Sequence, residues 1–269
     1  MKPSKWDARI RRAEELASSY PFASEGLHFY KHVTGLQKSL YAKFETECGS
    51  QKRAIGALRE ELDSFVLLPL FPSFLSQIEG HAPGPLAKAA RDLRARDAQR
   101  WQRLLADFWQ NRAESPPLLE PAETLLSCAF LQPYAEYLAD HTEREPLHAT
   151  PSLCPLCLAK PLLGVLRPEG DGAKRSLICA LCANEWEYRR IVCPACGEED
   201  VRKLAVYTSE GFGHVRVEAC DTCRTYIKTV DLTKNGHAVP VVDELATIPL
   251  DLWATEHGYT KLHANLLGL

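Results

Sequence analysis

The sequence predicts an α+β, multidomain protein: an all-α N-terminal domain followed by two small four-cysteine modules with short antiparallel hairpins. Three observations carry this. Apolar residues in the first half recur at helical intervals. Beyond a proline-marked segment the pattern changes to short β-prone runs. Eight of the ten cysteines fall in four Cys-x-x-Cys pairs between Cys154 and Cys223. The expected boundaries are 1–145 for the helical domain, 151–190 and 191–235 for the two modules, and 236–269 for a short helix and tail.

In the helical part, Trp6, Ile10, Ala13 and Leu16 form an amphipathic stripe that Pro21 ends. Leu27, Tyr30, Val33, Leu36, Leu40 and Phe44 form a second, and a third helix is expected over 54–66. Pro69, Pro72, Pro83 and Pro85 cut the next apolar region into short pieces. Asp97 to Arg112 is again amphipathic, and Pro121 suits the first turn of a last helix ending near His141. Thr142 to Ser152 reads as the linker. The expected strands are Leu177–Ile178, Trp186–Val192, Leu204–Thr208, Val215–Val217 and Tyr226–Val230. Leu245 to Gly258 reads as one short helix.

The cysteine pairs are Cys154/Cys157, Cys179/Cys182, Cys193/Cys196 and Cys220/Cys223. Gaps of 21 residues between the first two and 23 between the last two make the halves one module written twice. A Cys-x-x-Cys turn aims two thiolates at one point, and two such turns supply the tetrahedron that suits zinc or mononuclear iron. The repeat predicts one ion on Cys154, Cys157, Cys179 and Cys182, and another on Cys193, Cys196, Cys220 and Cys223. Loop-closure cost grows slowly with length, so entropy alone leaves an interleaved pairing open. Modules this small lack the core to fold without such a staple.

Composition narrows the function. The chain has 269 residues, 45% hydrophobic and 25% charged, with net charge −3. No apolar run approaches the ~20 residues of a membrane span. The N-terminus lacks the apolar core of a signal peptide, so a cytoplasmic location is expected, where paired cysteines bind metal more often than they form disulfides. Residues 151–231 hold 11 basic and 11 acidic side chains, and metal-bound thiolates would add negative charge. Nucleic-acid binding needs clustered positive charge and is not expected. There is no phosphate loop, nucleophile elbow or paired His-Glu zinc motif, and a four-sulfur site is closed to substrate. A non-enzymatic role follows.

Cys48 and Cys128 read as small core residues. His28 and His32, four apart without an acidic third ligand, read as a solvated helix face, and His214 as a surface residue. Trp186, Tyr188 and Tyr226 are expected to pack around the clusters rather than stack on bases.

The string Cys179-Ala-Leu-Cys182-Ala-Asn-Glu-Trp186-Glu-Tyr-Arg-Arg-Ile-Val-Cys193-Pro-Ala-Cys196-Gly197 resembles the formate dehydrogenase accessory protein family, FdhE. So does Glu218-Ala-Cys220-Asp-Thr-Cys223-Arg-Thr-Tyr-Ile-Lys228. The resemblance implies a cytoplasmic maturation factor that binds the catalytic subunit of respiratory formate dehydrogenase. It also implies iron held by the eight cysteines at rubredoxin-like sites, so two Fe ions are expected, with Zn as the alternative. Four thiolates leave −2 on zinc but −1 on ferric iron, which mildly favours iron. An electron-transfer or thiol-redox protein is the competing reading, and a zinc-ribbon nucleic-acid binder a weaker one. Glycine often follows the second cysteine of such a turn; here only Gly197 does. Leu158, Ala183 and Arg224 stand at the other three positions, where less regular turns are expected.

Overall fold

The computed structural model describes residues 4–49, 51, 58–110, 119–143 and 151–268. Helices α1 (Lys5–Ser19) and α2 (Ser24–Cys48) pack along each other, joined by a turn that starts at Pro21. The Ser4 hydroxyl caps α1 by accepting from the Asp7 N–H. Only part of the third expected helix lies within the described residues. There, Leu58–Glu60 is a 3-10 turn and α3 is limited to Ser64–Leu67. The break has a local cause, since Asp63 accepts from the Phe65 and Val66 N–H groups and starts a new helix in mid-pattern. Helices α4 (Phe71–Glu79) and α5 (Gly84–Arg94) each carry a proline in the first turn. They are followed by α6 (Ala98–Gln110) and α7 (Pro121–Asp140). Helix α7 is buried on nearly every side and is the axis of the helical part. Phe130 packs on Phe71 with ring centroids 4.7 Å apart, and Tyr134 on Phe44 at 5.2 Å. No helix among the described residues is long and apolar enough to cross a membrane.

The second half is one seven-stranded sheet, in which the expected hairpins are fused. Strands β1 (Pro161–Glu169), β2 (Gly172–Cys179) and β3 (Glu185–Glu187) form a first antiparallel meander. Strands β4 (Leu204–Thr208), β5 (Val215–Cys220) and β6 (Thr225–Asp231) repeat it. The copies join edge to edge where β1 runs parallel to β6, giving the order β3-β2-β1-β6-β5-β4. Two exposed edges are removed by this pairing. No strand is expected over β1, and Pro161, Gly164 and Pro168 are residues that strands usually disfavour. Pro161 is the strand's first residue and Pro168 lies next to its closing turn, positions a strand tolerates. Gly164 faces Thr229 across the junction, and a Cβ there would collide with the Thr229 Oγ1. The buried Arg175 of β2 also reaches Glu218 of β5 at 2.6 Å, tying the copies a second time.

The C-terminal segment holds two helices rather than one, α8 (Pro240–Ala246) and α9 (Ile248–Glu256), because a proline sits in the first turn of α9. A short strand, β7 (Thr260–Lys261), pairs parallel with β6. These elements are fixed by a buried ionic cluster. The fully buried Lys228 ammonium lies 2.6 Å from Asp251 and 3.0 Å from Glu244, and Lys261 contacts both carboxylates at 3.0 and 2.5 Å. Tyr226 donates to Asp251 and Asn265 to Glu244, so two cations and two carboxylates are balanced and hydrogen-bonded. His214 is half-buried instead of on the surface. Its Nε2 meets Asp243 at 2.7 Å, and Asp243 also pairs with Arg12 of α1 at 2.6 Å. That triad clamps the helical part to the sheet.

Two outcomes are expected. Gly164→Ala should lower stability by about 1–3 kcal/mol through overpacking at the β1–β6 junction. Adding Thr229→Ala, which removes an otherwise unpartnered hydroxyl, should restore most of it in thermal melts; an unrescued double variant would contradict the steric assignment. The second concerns pH. Burial alone would raise the Glu244 carboxyl, but the Lys228 and Lys261 ammoniums outweigh it and hold it below its ordinary 4.5. A depressed folded pKa stabilises above the unfolded value and loses that contribution as pH falls through the folded one. Melting temperature should therefore decline below about pH 4.5, and Glu244→Gln should make the decline shallower while lowering stability at pH 7. Parallel profiles for the two proteins would refute it.

Candidate metal centres

Each Cys-x-x-Cys turn closes on itself through the backbone. The N–H groups of Leu158, Gly197 and Arg224 donate to the carbonyls of Cys154, Cys193 and Cys220 at 2.9, 2.9 and 2.8 Å. The N–H groups of Cys154, Cys179 and Cys193 donate to the carbonyls of Ala159, Asn184 and Glu198, each at 2.9 Å. All four residues after the second cysteine take positive φ: Leu158 at 59°, Ala183 at 52°, Gly197 at 77° and Arg224 at 56°. The expectation of less regular turns at the three non-glycine positions is thus overturned. Side chains there cost about 1–2 kcal/mol each, and the turn imposes the conformation regardless. Arg224 has its own reason. Its guanidinium lies 3.9 Å from the Tyr259 ring centroid and donates to the His257 carbonyl at 2.6 Å, fastening the fourth turn to the α9–β7 connection.

The sulfurs collect in the sequential arrangement. Cys154, Cys157, Cys179 and Cys182 form one group and Cys193, Cys196, Cys220 and Cys223 the other, with all four sulfurs of each group within 4.8 Å of one another. Specific separations are 3.6 Å for Cys154–Cys182, 3.3 Å for Cys157–Cys179, 3.8 Å for Cys193–Cys223 and 3.7 Å for Cys196–Cys220. A disulfide needs about 2.05 Å, and none of these eight cysteines forms one. An ion bound by four thiolates at about 2.3 Å needs sulfurs about 3.8 Å apart. The donor sets fit a tetrahedral ion.

Electrostatics point the same way. In the first cluster, hydrogen bonds from Cys157, Cys179 and Cys182 push the Cys154 thiol far down. Burial pushes Cys179 up, and the adjacent sulfurs, Cys154 foremost, push Cys182 up. Thiolates crowded this closely in a buried site repel one another, so ionisation of the whole set needs a cation. Sulfurs also accept backbone donors, from Leu181 and Cys182 to Cys179 at 3.3 and 3.4 Å, and from Ala195 to Cys193 at 3.4 Å.

A further residue at the first cluster, Arg59, carries no signal in the sequence pattern. It is buried, and its Nε donates to the Cys157 carbonyl at 2.9 Å. Its Nη1 donates to the Trp109 and Phe108 carbonyls at the end of α6. Among the described residues it has no carboxylate partner. The carbonyl end of α6 faces its charge. In the neighbouring turn the Leu58 N–H donates to the Leu156 carbonyl at 3.3 Å, so helix and cysteine turn are stitched side by side.

Of the remaining candidates, Trp186, Tyr188 and Tyr226 are buried as expected. The Trp186 Nε1 donates to the Pro151 carbonyl at 2.8 Å and the Tyr188 hydroxyl to the Cys193 carbonyl at 3.4 Å. Cys48 and Cys128 are half-buried against the helical core, and burial pushes the Cys128 thiol up to about 12. His28 is exposed, whereas His32 is half-buried with its ring stacked on His81 at 3.6 Å.

Fold and site together define a class: a helical protein carrying a duplicated four-cysteine module in one continuous sheet. Residues 153–190 match the central domain of FdhE and residues 191–267 its C-terminal domain. An FdhE homolog of Aquifex aeolicus is 26% identical over 96% of this chain and 94% of its own length. One of Pseudomonas aeruginosa is 37% identical over 43% of this chain and 39% of its own length. The crystal structure of the FdhE protein from Pseudomonas aeruginosa shares the fold, with TM-score 0.69 and 24% identity over 99% of this chain and 97% of that one. Residues 153–267 are thus similar to two successive FdhE domains, and the whole chain shares the fold of an FdhE protein.

Arg59→Met should remove buried hydrogen bonds and a counter-charge at once. A loss of about 3–5 kcal/mol in stability is expected, with metal content falling by close to one equivalent per chain. Arg59→Lys should recover the charge but not the fork of carbonyl contacts. Unchanged metal content in both variants would dissociate Arg59 from the cluster.

Proposed function

We propose that this protein is a cytoplasmic maturation factor for respiratory formate dehydrogenase, binding its catalytic subunit and holding one mononuclear iron in each four-cysteine cluster. Cys154, Cys157, Cys179 and Cys182 would hold one ion, and Cys193, Cys196, Cys220 and Cys223 the other. The observation that carries the reading is the presence of two complete tetrahedral sulfur sets within an FdhE-type fold. Four sulfurs fill a tetrahedral ion's positions, so each ion would serve structure or electron exchange rather than activation of a substrate. Iron is favoured over zinc by its smaller residual charge and by the family's association with rubredoxin-like sites. The exposed Cys196 keeps one second reading in play, a redox protein whose ion cycles between ferric and ferrous states.

Purification of the tagged protein from its native host under anaerobic conditions tests these readings together. The expected material turns red on oxidation, contains about two irons per chain, and carries the formate dehydrogenase catalytic subunit as its main co-purifying chain. Colourless protein with two zincs would remove the iron assignment. Absence of that subunit even after cross-linking would remove the partner. A reversible couple within the cellular range would favour the redox reading.

A further inference from the structure

The two clusters present identical donors in different surroundings. All four cysteines of the first are buried and belong to the core shared with the helices, alongside Leu177, Trp186 and Tyr188. In the second, Cys193 and Cys220 are buried, Cys223 is half-buried and Cys196 is exposed. None of its four cysteines belongs to either hydrophobic core. The residues around Cys196 are open as well: Ala195 and Gly197 are exposed, and Ile191 and Val201 are 53% and 64% exposed.

We propose that the second cluster is the exchangeable metal site of this protein, where a divalent ion enters and leaves through Cys196, and that the first is a permanent structural site. This rests on the reading that both clusters hold metal. Ligand exchange requires an incoming donor to reach the ion while a resident sulfur leaves. At Cys196 a solvent thiolate or chelating ligand can do this directly. One bond to the ion forms as the Cys196 sulfur–metal bond breaks; the released thiolate takes a proton from water, and the ion keeps its oxidation state. Repetition at the remaining cysteines transfers the ion to the acceptor.

Opening the second site displaces only the 193–197 turn. That turn is held by its own backbone bonds, the Glu198 carbonyl and a 3.4 Å contact from the Tyr188 hydroxyl. Opening the first site by moving the Cys154–Cys157 turn breaks the Arg59 and Leu58 contacts and exposes a buried guanidinium with its Trp109 partner. Local openings are drawn from regions with few buried contacts, and the asymmetry places them at the second cluster.

The test uses the full chain loaded with two equivalents of Zn²⁺ and challenged with the chromogenic chelator 4-(2-pyridylazo)resorcinol. In parallel, native alkylation by N-ethylmaleimide is followed by peptide mapping. Release is expected in two phases of one equivalent each, the fast phase at least about ten-fold faster. After the fast phase, label should lie on Cys193, Cys196, Cys220 and Cys223, with Cys154, Cys157, Cys179 and Cys182 protected. Cys196→Ser should abolish the fast phase and keep the slow one. Cys196→His, which retains a metal donor, should alter the fast rate alone. Release of both equivalents at one rate, or first labelling of the Cys154 group, would overturn the division. Failure to take up two equivalents at all would overturn the metal reading beneath it, an outcome distinct from equal rates.

Discussion

Four sulfurs crowded into an apolar interior are the constraint around which this molecule is arranged. Thiolates lose hydration on burial and repel one another, so a cluster such as Cys154, Cys157, Cys179 and Cys182 is stable only as a neutral set of thiols or as thiolates around a cation. The chain supplies what the second state requires. Backbone N–H groups aim at the Cys179 sulfur, the Asn184 amide lies 3.9 Å from the Cys154 sulfur, and Arg59 stands over the Cys157 carbonyl. Three non-glycine residues are held in a left-handed conformation to make the turns. An ion on which the turns converge would offset the cost at Leu158, Ala183 and Arg224.

The position of that cluster removes the separation of domains which composition suggests. The helical core runs continuously from Phe44 and Trp109 to Cys154, Leu177 and Trp186. Leu58 and Arg59 stitch the helical part to the first cysteine turn, while Arg12 and His214 meet on Asp243 at the other end. Duplication extends the continuity, since the second meander has no unpaired inner edge once β6 is zipped to β1. Perturbation of the first cluster should therefore be felt in the helices, and a change at the second need not be.

What was legible in the sequence had short range or a strict period. The 21- and 23-residue gaps between cysteine pairs specify which turns can meet, and the structure groups those sulfurs in that order. Helices α1, α2 and α6 follow amphipathic stripes, and α7 starts at the expected Pro121. Strand β1 was hidden because its breakers answer to tertiary needs: Gly164 exists for its distance to Thr229, a residue 65 positions away. Arg59 was invisible for a related reason. A lone arginine in an apparently helical segment has no periodic signature, and its meaning comes from carbonyls 49, 50 and 98 positions distant. The positive φ values were concealed by side chains that normally avoid them, because four-point convergence of the turns overrides local preference.

A module copied within one chain begins with equal environments for its two ions. Here the copies retain equal ligands and differ in their neighbours. The first copy is pressed against α7 and the 58–59 turn, and its sulfurs have become part of a core. The second copy contributes β4 as an outer strand, with Val206 in solvent, and leaves Cys196 at the surface. Ligand identity sets which ions can bind, and burial sets how fast they come and go; the two properties have been distributed between the copies without changing a single donor. A chain with one such cluster would have to choose between holding its helices together and presenting a metal to solvent. With two joined through β1 and β6, the rigid copy supports the sheet on which the open copy is displayed, and the parallel junction at Gly164 and Thr229 is the element that makes the one depend on the other.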